Sequence, residues 1–119
     1  MRVAAVISDL MLYSRIESAA TAAGAPLTRV DSPADLPHDI DLVLVDWSAR
    51  QPDWAEALVA WRDRSNARLI LYGRHTDLEA HAAARAAQIG PMWARSKLIA
   101  ELSGQLLLDL REASARDDA

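Results

Sequence analysis

The sequence contains no cysteine, which removes disulfides, thiolate metal sites and cysteine nucleophiles together. It contains no phenylalanine either, yet it has four tryptophans. No apolar run approaches the roughly 20 residues that a membrane span needs, so no membrane partner is expected. The run Val3-Ala4-Ala5-Val6-Ile7 behind Met1 is too short for a signal peptide, and the expected compartment is the cytoplasm. Basic excess is also missing. Thirteen Lys and Arg face seventeen Asp and Glu, for a net charge of −4, and no basic stripe suited to a duplex stands out. Direct contact with nucleic acid is therefore not expected. No Gly-x-Gly-x-x-Gly or Walker pattern is present to cradle a nucleotide. No serine sits on the strand-to-helix elbow of a hydrolase. His38, His75 and His81 do not form a metal-binding pair on one helix.

The 119 residues suffice for one domain with a real core, and a composition 51% hydrophobic and 25% charged is that of a globular chain. The expected domain is 1–110, followed by a charged tail, 111–119, that frays. Val3 to Ile7 reads as a strand buried on both faces, the habit of parallel sheets. Leu12, Ile16, Ala19, Ala20 and Ala23 then share one helical face, which Gly24 and Pro26 end. Leu27–Val30 predicts a short strand. Asp31-Ser32-Pro33 predicts a brief second helix cut short by Pro37. Leu42-Val43-Leu44-Val45 is the clearest strand and ends at Asp46. Trp54, Leu58 and Trp61 mark a third helix, and Leu69–Tyr72 a fourth strand closed by Gly73. Thr76-Asp77-Leu78-Glu79 fits a capping box with Thr76 as cap, opening a fourth helix whose inner face is Leu78, Ala82, Ala86 and Ile89. After Gly90-Pro91, Met92–Ala94 predicts the last strand. Ser96 then caps a final helix with the stripe Leu98, Ile99, Leu102 and Leu106. Five strands alternating with five helices predict an α/β, three-layer flavodoxin-like sandwich around a parallel sheet of order 2-1-3-4-5.

Such a sheet binds ligands beyond the carboxyl ends of its strands, where the strand order reverses. For this order the place lies between strands 1 and 3, where Asp9 and Asp46 would meet. Two carboxylates can hold Mg²⁺, which keeps several of its waters. An acid beside a metal can accept a phosphoryl group, because phosphoryl transfer is chiefly positioning and charge neutralisation. A simpler role is open to each, since acids at strand ends cap backbone amides. Capping is favoured for Asp9, while the two readings of Asp46 balance.

These residues resemble the receiver domain of bacterial response regulators over about residues 3–110. That family has an acidic pair after strand 1, a phosphoacceptor Asp ending strand 3, a Thr or Ser ending strand 4 and a Lys ending strand 5. Asp46, in Leu42-Val43-Leu44-Val45-Asp46-Trp47, matches the phosphoacceptor. Ser8-Asp9 matches the acidic pair with one acid missing, Gly73 stands at the hydroxyl position, and Arg95 followed by Ser96 stands at the Lys. The family's Met-Pro after the phosphoacceptor is absent, and Met92 lies near its switching aromatic. The resemblance therefore implies a receiver fold with a depleted site. One lost acid weakens a metal site, so Mg²⁺ at Asp9 and Asp46 is expected to be weak and no other cofactor is expected. Gly73 offers no hydroxyl to a phosphoryl oxygen. Arg95 remains a candidate anion contact, because its fork suits phosphate, although Arg does not substitute freely for Lys.

The expected function is accordingly that of a stand-alone pseudo-receiver, a signalling module acting through protein contacts without phosphorylation and without enzymatic activity. The alternative is a phosphorelay receiver in which Asp46 accepts phosphate with Mg²⁺. Among other residues, Trp54 and Trp61 read as core, Trp47 as packing or a cover for the pocket, and His75 as a solvated loop residue. Leu107 and Leu108 lie about 100° and 200° round the last helix from Leu106, so one helix on a sheet cannot bury them all. With Leu110 they predict a homodimer or protein-partner face shared with the fourth helix and strand 5. A frayed helix end accounts for the same leucines.

Overall fold

In a computed structural model that describes residues 2–103, five parallel strands form one sheet in the order β2-β1-β3-β4-β5. The strands are β1 (Val3–Val6), β2 (Leu27–Val30), β3 (Leu42–Asp46), β4 (Arg68–Gly73) and β5 (Met92–Ala94). Four α-helices cover the sheet: α1 (Leu10–Ala22), α2 (Trp54–Asp63), α3 (Leu78–Ala86) and α4 (Arg95–Ser103). All five positions of β3 and all four of β1 are buried, which is why both read as unbroken apolar runs. The strands sort their side chains by alternation. Val3, Ala5, Leu42, Leu44, Ile70 and Tyr72 pack under α1 and α4 with Ile16 and Leu98. Ala4, Val6, Val43, Val45 and Leu71 pack under α2 and α3 with Leu58 and Trp61.

Local chemistry sets the element ends. Asp9 caps α1, its Oδ1 accepting the Met11 and Leu12 amides at 3.1 Å each. Gly24, at φ 74°, closes the same helix in the left-handed conformation, and the Ala25 amide reaches back to the Ala20 carbonyl.

The structure corrects four expectations. The second helix is only the 3₁₀ turn Pro33–Asp35, capped by Ser32, because Leu36 and Pro37 leave helical backbone at once. Asp77, and not Thr76, caps α3, accepting the Ala80 amide at 3.1 Å. The helix also turns a different face to the core than the spacing of its larger residues predicts. Its inner face is Ala80 and Ala84, with Ile89 beyond it, while Leu78 is 76% exposed and Ala82 and Ala86 face solvent. The ring of Trp47 packs in the same cluster and donates its Nε1–H to the Ala80 carbonyl at 2.9 Å. Ser96 does not precede α4 but lies within its first turn, since the helix begins at Arg95.

Candidate functional site

The carboxyl ends of β1, β3 and β4 lie side by side, with Val6 paired to Val45 and Asp46 to Tyr72. This brings Asp46, Asp9 and the loops after β4 and β5 to one edge of the sheet. Asp46 is 3% exposed, the one buried charged residue among those described. Its Oδ2 lies 3.8 Å from Arg95 Nη2, a long ion pair. Burial raises the Asp46 pKa above the ordinary carboxylate range. Arg95 opposes that shift, Asp9 adds to it, and the Ala49 amide and Arg74 pull it down. Tyr72, the neighbour of Asp46 on β4, is fully buried, and burial together with the Asp46 charge raises its phenol pKa as well.

Three buried side-chain atoms among the described residues have no hydrogen-bond partner: Asp46 Oδ1, Tyr72 Oη and Arg95 Nε. All three belong to this one cluster. Buried polar groups are nearly always paired, so a cluster of unpaired ones marks a place where stability gives way to another requirement.

The sequence candidates divide accordingly. Asp9 and Asp46 share an edge, as the strand order requires, but the Asp9 carboxylate holds the first amides of α1. Among the described residues no three His, Cys, Asp or Glu side chains group to hold a metal. Two carboxylates, one of them engaged in capping, remain a thin donor set for Mg²⁺. Arg95, the candidate anion contact, lies with its Nη2 3.8 Å from Asp46 Oδ2. Trp47 points to the α2–α3 side and packs there, so it does not cover the site. His75 is exposed in the loop after β4, its carbonyl 3.0 Å from His81 Nε2. Leu107, Leu108 and Leu110 lie outside the described residues.

Ser48 went unnoticed in the sequence. It sits on the 3₁₀ turn Trp47–Ala49, directly after β3. A Cβ placed on Gly73 would lie 2.3 Å from Ser48 Oγ and 2.8 Å from Met92 Sδ. Gly73 is thus glycine because Ser48 stands where a residue-73 side chain would begin. Ser48 Oγ also accepts the Arg74 amide at 3.0 Å, which ties the loop after β3 to the loop after β4. The one available sequence signal was the pairing of a small hydroxyl residue two positions after Asp46 with a glycine at the end of β4.

Two surface recesses adjoin the cluster. One, of about 850 Å³, runs between the first turns of α1 and α4 and includes Asp9, Arg15, Arg95 and Ile99. The other, of about 300 Å³, lies between the loops after β4 and β5 and includes Arg74, Thr76, Arg95 and Ser96.

The chain is similar in fold to receiver domains. The receiver domain of the Francisella response regulator 1452 superposes with a TM-score of 0.69 at 14% identity, covering 94% of this chain and 98% of that one. A response regulator receiver domain from Clostridium thermocellum gives a TM-score of 0.62 at 12% identity, covering 91% of this chain and 95% of that one. No family model and no curated protein matches the sequence. At these identities the likeness establishes a receiver-like, flavodoxin-like fold. Among the described residues no helix is long and apolar enough to cross a membrane.

Proposed function

We propose that this chain is a pseudo-receiver, a regulatory module that works through protein contacts and does not accept a phosphoryl group at Asp46. One observation carries the reading: the carboxylate at the phosphoacceptor position is 3% exposed, and burial shifts it toward its neutral form. A phosphoacceptor must be reached by both its donor and a metal, and an enclosed carboxyl is poorly placed to meet either. Two further features support it. Asp9 is engaged at the start of α1, and position 8 is a serine.

The partner face we favour comprises the loop after β4, α3, β5 and α4. Leu78 on α3 is 76% exposed there, and Trp93 on β5 is half-buried, with Lys97 Nζ 4.5 Å from its ring. Aromatic and aliphatic groups of this kind anchor protein interfaces.

The test is intact mass after incubation with acetyl phosphate and Mg²⁺. Wild type should remain unmodified. An adduct of about 80 Da, one phosphoryl group, that is lost in Asp46→Ala would replace this reading by that of a phosphorelay receiver.

A further inference from the structure

We propose that α1 and the adjoining side of α4 form a seam with a second copy of this chain, in which each copy seats its Met11 in the other's recess between the first turns of the two helices. The recess, of about 850 Å³, is lined by Met11, Leu12, Ile99 and Ala100 with polar residues among them. Leu12 is buried and Ile99 half-buried, while Ser14, Ser96 and Ala100 border the space as small, exposed residues. Met11 stands at the same place, 83% exposed, the most exposed large apolar side chain among the described residues. A projecting apolar group and an apolar recess thus share one patch. Exposed apolar groups gathered in this way usually mark interaction sites. A patch that carries both halves of a contact fits itself through a twofold axis, the commonest symmetry of protein dimers.

The charges favour a second copy as the occupant. Asp9 and Arg15 both line the recess, and about 9 Å of helix axis separates them. Asp9 uses only Oδ1 for the Met11 and Leu12 amides, so Oδ2 remains to accept a further bond. Arg15 is exposed and forms no ion pair among the described residues. Two α1 helices packed antiparallel, crossing at the level of Leu12, set Asp9 of each copy against Arg15 of the other. The twofold axis makes both pairs at once. Arg95 takes no part, since its Nη2 lies 3.8 Å from Asp46 Oδ2. Ile99 and Lys97 point about 200° apart round α4, so the seam leaves the Lys97 and Trp93 side open for the partner face described above. The seam involves neither Asp46 nor its phosphorylation. A phosphoryl adduct on Asp46 would therefore overturn the preceding reading and leave this one intact.

The experiment is sedimentation equilibrium of the full chain at concentrations up to about 1 mM, the Kd of a very weak contact. Wild type should dimerise, and less so as salt rises, because exposed ion pairs are screened. Met11→Glu should weaken the dimer by about a hundredfold or more, since two buried methionines are lost and two charges enter the seam. Ala100→Glu, on the α4 wall of the recess, should act in the same direction. Both positions are exposed in the single copy, so both variants should fold, which circular dichroism checks. Arg15→Gln should weaken the dimer by about fivefold and remove most of its salt dependence. Leu78→Ser, on α3, should leave it unchanged. Rising concentration should shift the amide NMR signals of residues 9–15 and 95–100 while those of α3 stay in place. A wild type still monomeric at about 1 mM, or a dimer that Met11→Glu and Ala100→Glu leave as tight as before, would overturn the inference. Concentration-dependent shifts confined to α3 would overturn it as well, by placing the seam on the other face.

Discussion

Replacing Asp46 by Asn should stabilise the protein at neutral pH, and the gain should depend on pH in a defined way. The wild-type carboxylate is 3% exposed, Oδ1 has no partner, and its ion pair with Arg95 spans 3.8 Å. Removing one member of a buried pair is severe when the charge left behind is enclosed. Here the charge left behind is Arg95, whose side chain is 40% exposed and can turn to water. The dominant change is relief of a buried, poorly paired charge, on the order of 1 kcal/mol. For a domain of this size that is a rise in Tm of about 4 °C.

The sign follows from linkage. The folded-state pKa of Asp46 lies above its ordinary value of 3.8. As pH rises, the unfolded chain therefore releases this proton first. The stability contributed by protonated Asp46 is complete below the unfolded value and is lost as pH rises through the folded one. The stability gap between Asp46→Asn and wild type should be smallest in acid, widen across that window and level off above it. Urea denaturation of both proteins at closely spaced pH values between about 3 and 8 measures the gap. A gap that does not vary with pH, or an Asn variant less stable than wild type at pH 7, would refute the account of Asp46 as a buried carboxyl with a raised pKa.

Other perturbations test the remaining parts of the site and fold. Gly73→Ala places a Cβ against Ser48 Oγ and Met92 Sδ and should lower stability by about 1–3 kcal/mol in thermal melts. Adding Ser48→Gly should recover much of that loss, whereas strict additivity of the two changes would contradict the close approach. Asp9→Ala removes two accepted amide hydrogen bonds and should lower stability by about 1 kcal/mol. Asp9→Ala should also lower the pKa of Asp46, seen by carboxyl ¹³C NMR, because the Asp9 charge helps to raise it. Ala84→Val, at a fully buried position, should destabilise by about 1–3 kcal/mol, while Leu78→Ser, at a position 76% exposed, should stay within about 0.5 kcal/mol. The reverse outcome would restore Leu78 to the inner face of α3.

Much of the architecture was legible because burial on both faces leaves a simple trace. Leu42–Val45 is apolar throughout since β3 is covered by helices on either side, and a parallel strand has no polar alternation to disguise it. The spacing of Leu12, Ile16 and Ala20 likewise survives into the structure as the buried face of α1. The face of α3 was misread for an instructive reason. Leucine is a stronger hydrophobic signal than alanine, yet α3 buries Ala80 and Ala84 in the core while Leu78 stands 76% exposed.

By itself, then, the sequence determined the order of strands and helices, the parallel sheet, and the arrival of Asp9 and Asp46 at one edge. All of these depend on periodicity and on short-range rules of connection. Tertiary structure alone decided the state of the site. Whether Asp46 is enclosed depends on what β4 and α4 lay over it, and whether position 73 can carry a side chain depends on a serine 25 residues earlier in the chain. Burial and steric exclusion are sums over neighbours brought together by folding, and no local pattern of residues records them.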